Sequence, residues 1–304
     1  MIDFTTVTKR YGEKTAVSDL SMTVENGSVC VLIGPSGCGK STTLRMINRL
    51  LEPDGGTIEV DGKAVRDYDP AALRLRIGYV IQSVGLLPHL RVWQNISLVP
   101  RLLGWERSRR RERADELLEV VGLDPEEYGN KYPAQLSGGE AQRVGVARAL
   151  AADPPYLLMD EPFGAVDPLT RASLQQSFRD IQSRLKKTVV LVTHDLDEAI
   201  YLADTIALLK DGELQQFGTP AELLARPANQ FVRDFVGSDR MLRMLTTVEL
   251  NAVAGWDAGG GNRPTLRDAL AQLLSAEDGS VAVELDGGES RQLNFEGLRE
   301  LVHP

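Results

Sequence analysis

A chain of 304 residues, 42% hydrophobic and 25% charged, carries enough apolar content for one large folded domain and a small second one. Its net charge of −9 argues against nucleic-acid binding, which needs clustered cations, and its one basic run, Arg107 to Arg113, is broken by Glu112 and runs into Asp115-Glu116 as a solvated helix face with i,i+4 ion pairs would. No apolar stretch approaches the roughly 18 residues of a membrane-spanning helix, the N-terminus lacks a basic-then-apolar leader, and Cys30 and Cys38 suit no disulfide framework, so the expectation is a soluble intracellular protein.

In chain order, the alternation of Ile2 and Phe4 with polar spacers predicts an edge strand over 2–7. Asn26-Gly27 signals a tight turn, and Val29-Cys30-Val31-Leu32-Ile33 follows as a buried strand. Next comes Gly34-Pro35-Ser36-Gly37-Cys38-Gly39-Lys40-Ser41, with every fixed position of the G-x-x-x-x-G-K-[ST] phosphate loop, and residues 42–51 lead out at helical spacing. Strand, glycine-rich loop and helix are the context that makes the pattern a site. The glycines let backbone N–H groups close around phosphate oxygens, and the helix N-terminus adds the positive end of its dipole. Lys40 is placed for the β- and γ-phosphates, and the Ser41 hydroxyl for Mg²⁺.

Strands are expected over 57–60 and 77–81, and a mostly helical stretch over 92–152. Within it, Leu136-Ser137-Gly138-Gly139-Glu140 opens a helical run. Ser137 and Glu140 suit a capping box, and the same glycine-bearing helix end suits an anion. Strands return over 156–159, 188–192 and 205–209 with helices between, which argues for an α/β fold with a parallel sheet. Asp211-Gly212 marks a hairpin. The strand over 156–159 delivers Asp160 and Glu161 to the carboxyl edge of the sheet, Asp160 for Mg²⁺ and Glu161 to orient or deprotonate an attacking water. At Gly237-Ser238 the character changes, and a second domain is expected over 239–304. It should hold a strand over 244–248, a Gly-rich loop over 258–261, a helix over 266–274, a strand over 281–285, a further strand and a final helix.

Taken together these motifs resemble the ATP-binding subunits of ABC transporters over residues 1–238. Tyr11 stands at the adenine-stacking position, and Gly34 to Thr42 form the Walker A loop. Gln82 follows a strand as the Q-loop glutamine, Leu136 to Glu140 are the signature motif, and Asp160 and Glu161 end the Walker B strand. Ala165-Val166-Asp167 match the D-loop, and His194 matches the switch histidine. Glu140 departs from the family, whose signature usually ends in Gln.

The resemblance implies a P-loop NTPase (RecA-like) core with an N-terminal antiparallel β subdomain, a helical signature subdomain over about 92–152 and a small α+β tail domain. It implies ATP and Mg²⁺, with Gly34, Ser36, Gly37, Gly39, Lys40, Ser41 and Thr42 around the phosphates. It assigns Ser41, Gln82 and Asp160 to the metal and Glu161, His194 and Gln82 to catalysis, His194 acting on the γ-phosphate. Two copies would pack head to tail, so that Ser137, Gly138, Gly139 and Asp167 serve nucleotide held by the other copy.

Within the family the chain is similar to importers of glycine betaine, choline and carnitine, on residues 77–82, 85–89 and 160–168. That implies a peripheral subunit on the cytoplasmic face of the membrane, held by permease subunits and served indirectly by a solute-binding protein. An importer of another solute, such as an amino acid or a sulfonate, shares the last of these segments. Residues 83–96, with Val84, Leu86, Leu87, Leu90 and Trp93, are expected to form a loop that in part meets the permease and in part packs locally within the helical stretch. The tail over 239–304 is compatible with one CBS motif, regulatory or dimerising. A soluble ABC ATPase of translation or DNA repair fits less well, because there is one Walker A loop, no sustained heptad and no cysteine cluster. The presence of both Glu161 and His194 argues against a sensor that binds ATP without turnover.

Overall fold

The computed structural model describes residues 1–81, 85–164 and 168–237, together with 252–253, 265, 269, 272, 280–284 and 290–293. The chain divides into two compact units, Met1–Glu198 with Leu202–Phe217, and Ala199–Tyr201 with the chain from Gly218 onward.

In the first unit β1 (Ile2–Tyr11) pairs antiparallel with β2 (Lys14–Val24), from Ile2 opposite Val24 to Tyr11 opposite Lys14. The expectation of an edge strand over 2–7 is corrected here. β1 is an inner strand, because β4 (Gly55–Val60) pairs on its other side, and β5 (Lys63–Ala64) closes the sheet order β2-β1-β4-β5. The missed partner carried a signal: Leu20, Met22 and Val24 alternate along β2 and are buried.

Between β2 and β4 run β3 (Val29–Ile33), buried at every position, and α1 (Lys40–Ile47). After β5 come α2 (Pro70–Leu75) and β6 (Ile77–Val80). The helical stretch then holds α3 (Val92–Ile96), α4 (Leu98–Leu102), α5 (Arg107–Val120), α6 (Pro125–Tyr128) and α7 (Gly138–Leu150). Beyond it lie β7 (Tyr156–Asp160), α8 (Pro168–Leu185), β8 (Thr188–Val192), α9 (Leu196–Leu202), β9 (Thr205–Lys210) and β10 (Glu213–Gly218). The second sheet has the order β10-β9-β3-β8-β7-β6, with β9, β3, β8, β7 and β6 parallel. A strand buried on both faces must read as a continuous apolar run, and β3, β7 and β8 do. Leu44, Met46 and Ile47 of α1 join Leu32, Leu158 and Val190 of the strands in one core.

Two details differ from expectation. Trp93 is buried on α3 rather than exposed in a loop, with the guanidinium groups of Arg107 and Arg111 over its ring at 5.9 and 5.6 Å. The basic run is therefore not merely solvated. The i,i+4 pairing expected of such a face is present, Arg111 with Asp115 at 2.9 Å, but Arg113 also reaches the backbone carbonyls of Leu150 and Ala151 at the end of α7. Buried Asn95 holds the segment before α3, accepting from the Leu87 N–H at 2.7 Å and donating to the Leu87 and Leu90 carbonyls at 3.1 and 3.0 Å. Val84 lies outside the described residues.

The second unit holds α10 (Pro220–Ala225), α11 (Gln230–Val236) and an antiparallel sheet of β11 (Ala252–Val253), β12 (Val281–Glu284) and β13 (Ser290–Leu293). Residues 269 and 272 are helical, within the helix expected over 266–274. The strand expected over 244–248, the Gly-rich loop over 258–261 and the final helix lie outside the described residues.

Candidate functional site

The phosphate loop is fixed by two glycines that no other residue could replace. Gly34 has φ of 145°, and a Cβ there would stand 2.0 Å from the Leu209 carbonyl oxygen. Gly39, at φ of 104°, would place one 2.3 Å from the Ala16 carbonyl oxygen. Backbone passes too closely at both points for a side chain. Gly39 is also the N-cap of α1, and no side chain closes that helix end. Lys40 is buried, and its Nζ donates to the carbonyls of Gly34 at 2.7 Å and Pro35 at 2.9 Å. Cys38 packs under the loop, its thiol pushed up by burial against the lowering effect of the Lys40 charge.

The parallel register places the carboxyl ends of β3, β8 and β7 side by side, with Leu32 and Asp160 both opposite Val192. Asp160 is therefore delivered to the start of α1, where the Ser41 hydroxyl donates to its Oδ1 at 2.8 Å. Asp160 is buried, and its Oδ2 lies 3.9 Å from the Arg45 guanidinium. Tyr79 of β6 flanks the same place; burial first and the Asp160 charge second push its phenol up, against a hydrogen bond with Arg45. A buried carboxylate joined to a hydroxyl is an all-oxygen donor pair, which fits a hard divalent cation.

Glu161 follows with φ of 47°, a left-handed conformation held by its own N–H donating to the Val192 carbonyl at 2.9 Å. A non-glycine residue in this region is uncommon and marks a place where the surroundings override local preference. The turn aims its carboxylate at His194, with Oε1 3.5 Å from Nδ1. His194 is 61% exposed and Glu161 24%, so the pair opens toward solvent.

Tyr11 ends β1 half exposed, with the Lys9 ammonium 5.8 Å from its ring. Asp54 pins that end, accepting from the Arg10 N–H at 2.6 Å and from Lys9 Nζ at 3.0 Å. Ala16, on the strand that returns from Tyr11, is the residue whose carbonyl crowds Gly39, so the hairpin abuts the phosphate loop.

On α7 the capping box is present. Ser137 Oγ accepts from the Glu140 N–H at 3.3 Å, and Glu140 Oε2 accepts from the Ser137 N–H at 2.7 Å. The Tyr128 hydroxyl, from α6, donates to Glu140 Oε1 at 2.8 Å. The Ser137 N–H and the Tyr128 hydroxyl together hold the Glu140 carboxyl below the usual range. Gly138 and Gly139 begin the first turn and add no side chain to it. α7 packs on α3, α5, α8 and β6, whereas α1 packs on β2, β4, β7 and β8. The two anion-suited helix ends therefore belong to different parts of the first unit.

The structure brings together Ser41 with Asp160, and Glu161 with His194. Gln82 and Asp167 lie outside the described residues. Arg45, Tyr79, Tyr128 and Asp54 escaped the sequence reading, since an isolated arginine or tyrosine carries no motif and only the fold shows its partner.

The family model for ABC transporters matches residues 17–164. The chain is 54% identical over 250 residues to the glycine betaine/carnitine/choline transport ATP-binding protein OpuCA of Bacillus subtilis, covering 82% of this chain and 66% of that one. Against the choline transport ATP-binding protein OpuBA of the same organism it covers 64% of the relative, so the chain spans a little under two thirds of these proteins. It spans 99% of the glycine betaine uptake system ATP-binding protein YehX of Escherichia coli, at 48% identity over 98% of this chain. Among solved structures, a dimeric ATP-binding cassette in a post-hydrolysis state with ADP and Pi superposes with a TM-score of 0.64 at 36% identity, covering 72% of this chain and 98% of that one. The match to the uptake protein along nearly its whole length, together with a P-loop NTPase core built as in the solved cassette, makes this chain a member of the ABC transporter ATP-binding family.

Proposed function

We propose that the chain is the ATP-hydrolysing subunit of an ABC importer that energises uptake of an osmoprotectant such as glycine betaine, choline or carnitine. The observation that carries the catalytic part is two pairs made by consecutive residues at the end of β7: Asp160 with Ser41 of α1, and Glu161 with His194. The solute class rests on the similarity to the glycine betaine and choline transport proteins.

In this reading the Gly34–Ser41 loop wraps the phosphates of ATP and Lys40 leaves its carbonyl partners to meet the β- and γ-oxygens. Ser41, Asp160 and Gln82 hold Mg²⁺, which when bound neutralises charge that develops on the phosphates. Glu161 accepts a proton from the attacking water, the water oxygen bonds to the γ-phosphorus, and the β–γ bridging bond breaks toward ADP. His194, fixed beside Glu161, donates to the γ-phosphate oxygens. Tyr11 stacks on the adenine. A second copy, head to tail, brings the Ser137-Gly138-Gly139 end of α7 and Asp167 to the far side of the nucleotide.

Partners follow from the same reading: permease subunits that hold this chain at the cytoplasmic face of the membrane, and a solute-binding protein that acts through them. Arg148 of α7 donates to the Gly85 carbonyl at 2.7 Å, which supports a mechanical tie between the signature helix and the segment that follows Gln82. The tail over 239–304 acts as a CBS-like regulatory or dimerisation element.

The test is reconstitution. The full-length chain, expressed with its permease, should co-purify with it and drive ATP-dependent glycine betaine uptake into vesicles when the binding protein is added. Coupled uptake of an amino acid or a sulfonate instead would overturn the solute assignment, and failure to associate with any permease would overturn the transport reading.

A further inference from the structure

One buried titratable group has no place in the reaction above. Glu198 sits on the first turn of α9, is 4% exposed, and its Oε1 has no hydrogen-bond partner among the described residues. A buried carboxylate with an unsatisfied oxygen is costly and calls for a reason. Its surroundings are specific. Gln175 of α8 reaches its Oε2 with Nε2 at 3.5 Å. One turn earlier on α8, the Arg171 guanidinium lies 3.6 Å from Asp195 Oδ2. Asp195 Oδ1 accepts the N–H groups of Asp197 at 2.9 Å and Glu198 at 3.2 Å, capping α9, while the Asp195 N–H donates to Thr193 Oγ1 at 3.0 Å. His194 lies inside this knot, between Thr193 and Asp195.

We infer that Asp195 and Glu198, held from α8 by Arg171 and Gln175, are positioning residues for His194: together they set the turn that carries its imidazole to Glu161. The inference rests on the catalytic reading of His194 above and adds the groups that aim it. It also explains why buried Glu198 and the partly exposed Asp195 tolerate each other. The Asp195 charge is balanced by Arg171, and Glu198 shares the same small volume. The charged groups facing Glu198 are Asp195 on its own turn and Arg171 from α8; Thr193 and Gln175 supply hydrogen bonds. Burial first and the Asp195 charge second push the Glu198 carboxyl up to about 7, outweighing the opposing pull of Thr193, Arg171 and Gln175. When Glu198 ionises, two carboxylates compete for one guanidinium. The repulsion loosens the Asp195 cap, and His194 moves away from its partner. When Glu198 is neutral the turn is tight.

The experiment measures kcat and KM for ATP with the purified full-length chain, from about pH 6 to pH 8.5, for wild type, Glu198→Gln, Arg171→Lys and His194→Ala. Glu198→Gln keeps the shape of the neutral carboxyl and cannot ionise. The ratio of its kcat to that of wild type should rise about threefold or more across the range, with a midpoint near 7, while KM stays within about twofold. Taking the ratio removes pH effects common to both proteins. Arg171→Lys, with a point charge in place of a fork, should lower kcat at every pH and leave KM unchanged. A flat or falling ratio, in a variant that is folded and binds ATP as wild type does, overturns the inference. His194→Ala separates the two layers: if it retains full turnover, the catalytic reading of His194 has failed; if it is inactive while the Glu198→Gln ratio is flat, only the positioning inference has.

Discussion

Glu161 Oε1 and His194 Nδ1 stand 3.5 Å apart, just past the carboxyl ends of two parallel strands, β7 and β8. The approach is made by backbone. The left-handed Glu161 and its N–H bond to Val192 turn one carboxylate toward the neighbouring strand, and the Thr193–Asp195 turn brings the imidazole back to meet it. In the proposed mechanism the carboxylate takes the proton of water and the imidazole donates to the γ-phosphate oxygens.

The Ser41–Asp160 pair predicts the metal dependence. Ser41→Ala removes the hydroxyl that meets Asp160 Oδ1 at 2.8 Å and leaves that oxygen buried without its donor. The Mg²⁺ concentration for half-maximal ATPase should rise about tenfold or more, and Asp160→Asn should abolish the response to Mg²⁺. Titration of activity against Mg²⁺ in EDTA-stripped protein measures both. An unchanged Mg²⁺ midpoint in Ser41→Ala contradicts the assignment.

The two helix ends predict complementation. Ser137→Arg places a bulky cation at the start of α7, and Lys40→Ala removes the cation of the phosphate loop. Each variant alone should lose ATPase by about two orders of magnitude. Mixed together they form a head-to-tail pair in which one composite site holds both defects and the other holds neither, so activity should return. Full activity of the Ser137→Arg homodimer, or no recovery on mixing, speaks against a shared site.

Glu198 predicts a pH dependence of stability. Its folded-state carboxyl is pushed up to about 7 from the ordinary 4.5, so the native state keeps a proton that the unfolded chain releases. The associated stability is fully present below pH 4.5 and is lost as pH rises through 7, on the order of 3 kcal/mol in all. Glu198→Gln cannot release that proton. Chemical denaturation at pH 5 and pH 8 should show the variant gaining on wild type as pH rises. An equal difference at both values would mean that Glu198 is not held neutral by the fold.

Much of this was legible in the chain, and the reason differs from element to element. The strand, loop and helix around Gly34–Ser41 depend on neighbours in sequence, so glycine placement and the apolar run of β3 announce them. The Ser137–Glu140 box is equally local and was read directly. β1 was misread as an edge because pairing is a long-range fact: its second neighbour, β4, lies about fifty residues downstream. The contacts of Arg45 with Asp160, Tyr128 with Glu140, and Arg171 with Asp195 are of the same kind. Each joins residues from different elements, and nothing in the spacing of either partner points to the other. Burial of Trp93 under two arginines also depends on how α5 packs on α3.

The account turns on Glu161, and its most direct test is the steady-state ATPase of Glu161→Gln in the purified full-length chain, with nucleotide binding measured beside it. Glutamine keeps the size of the side chain and removes the base. Turnover should fall by at least about 100-fold, while ATP and Mg²⁺ still bind and an ATP-bound dimer accumulates. Near-normal turnover in a variant that binds ATP as wild type does would contradict the role given to Glu161 and, with it, the mechanism built on its approach to His194.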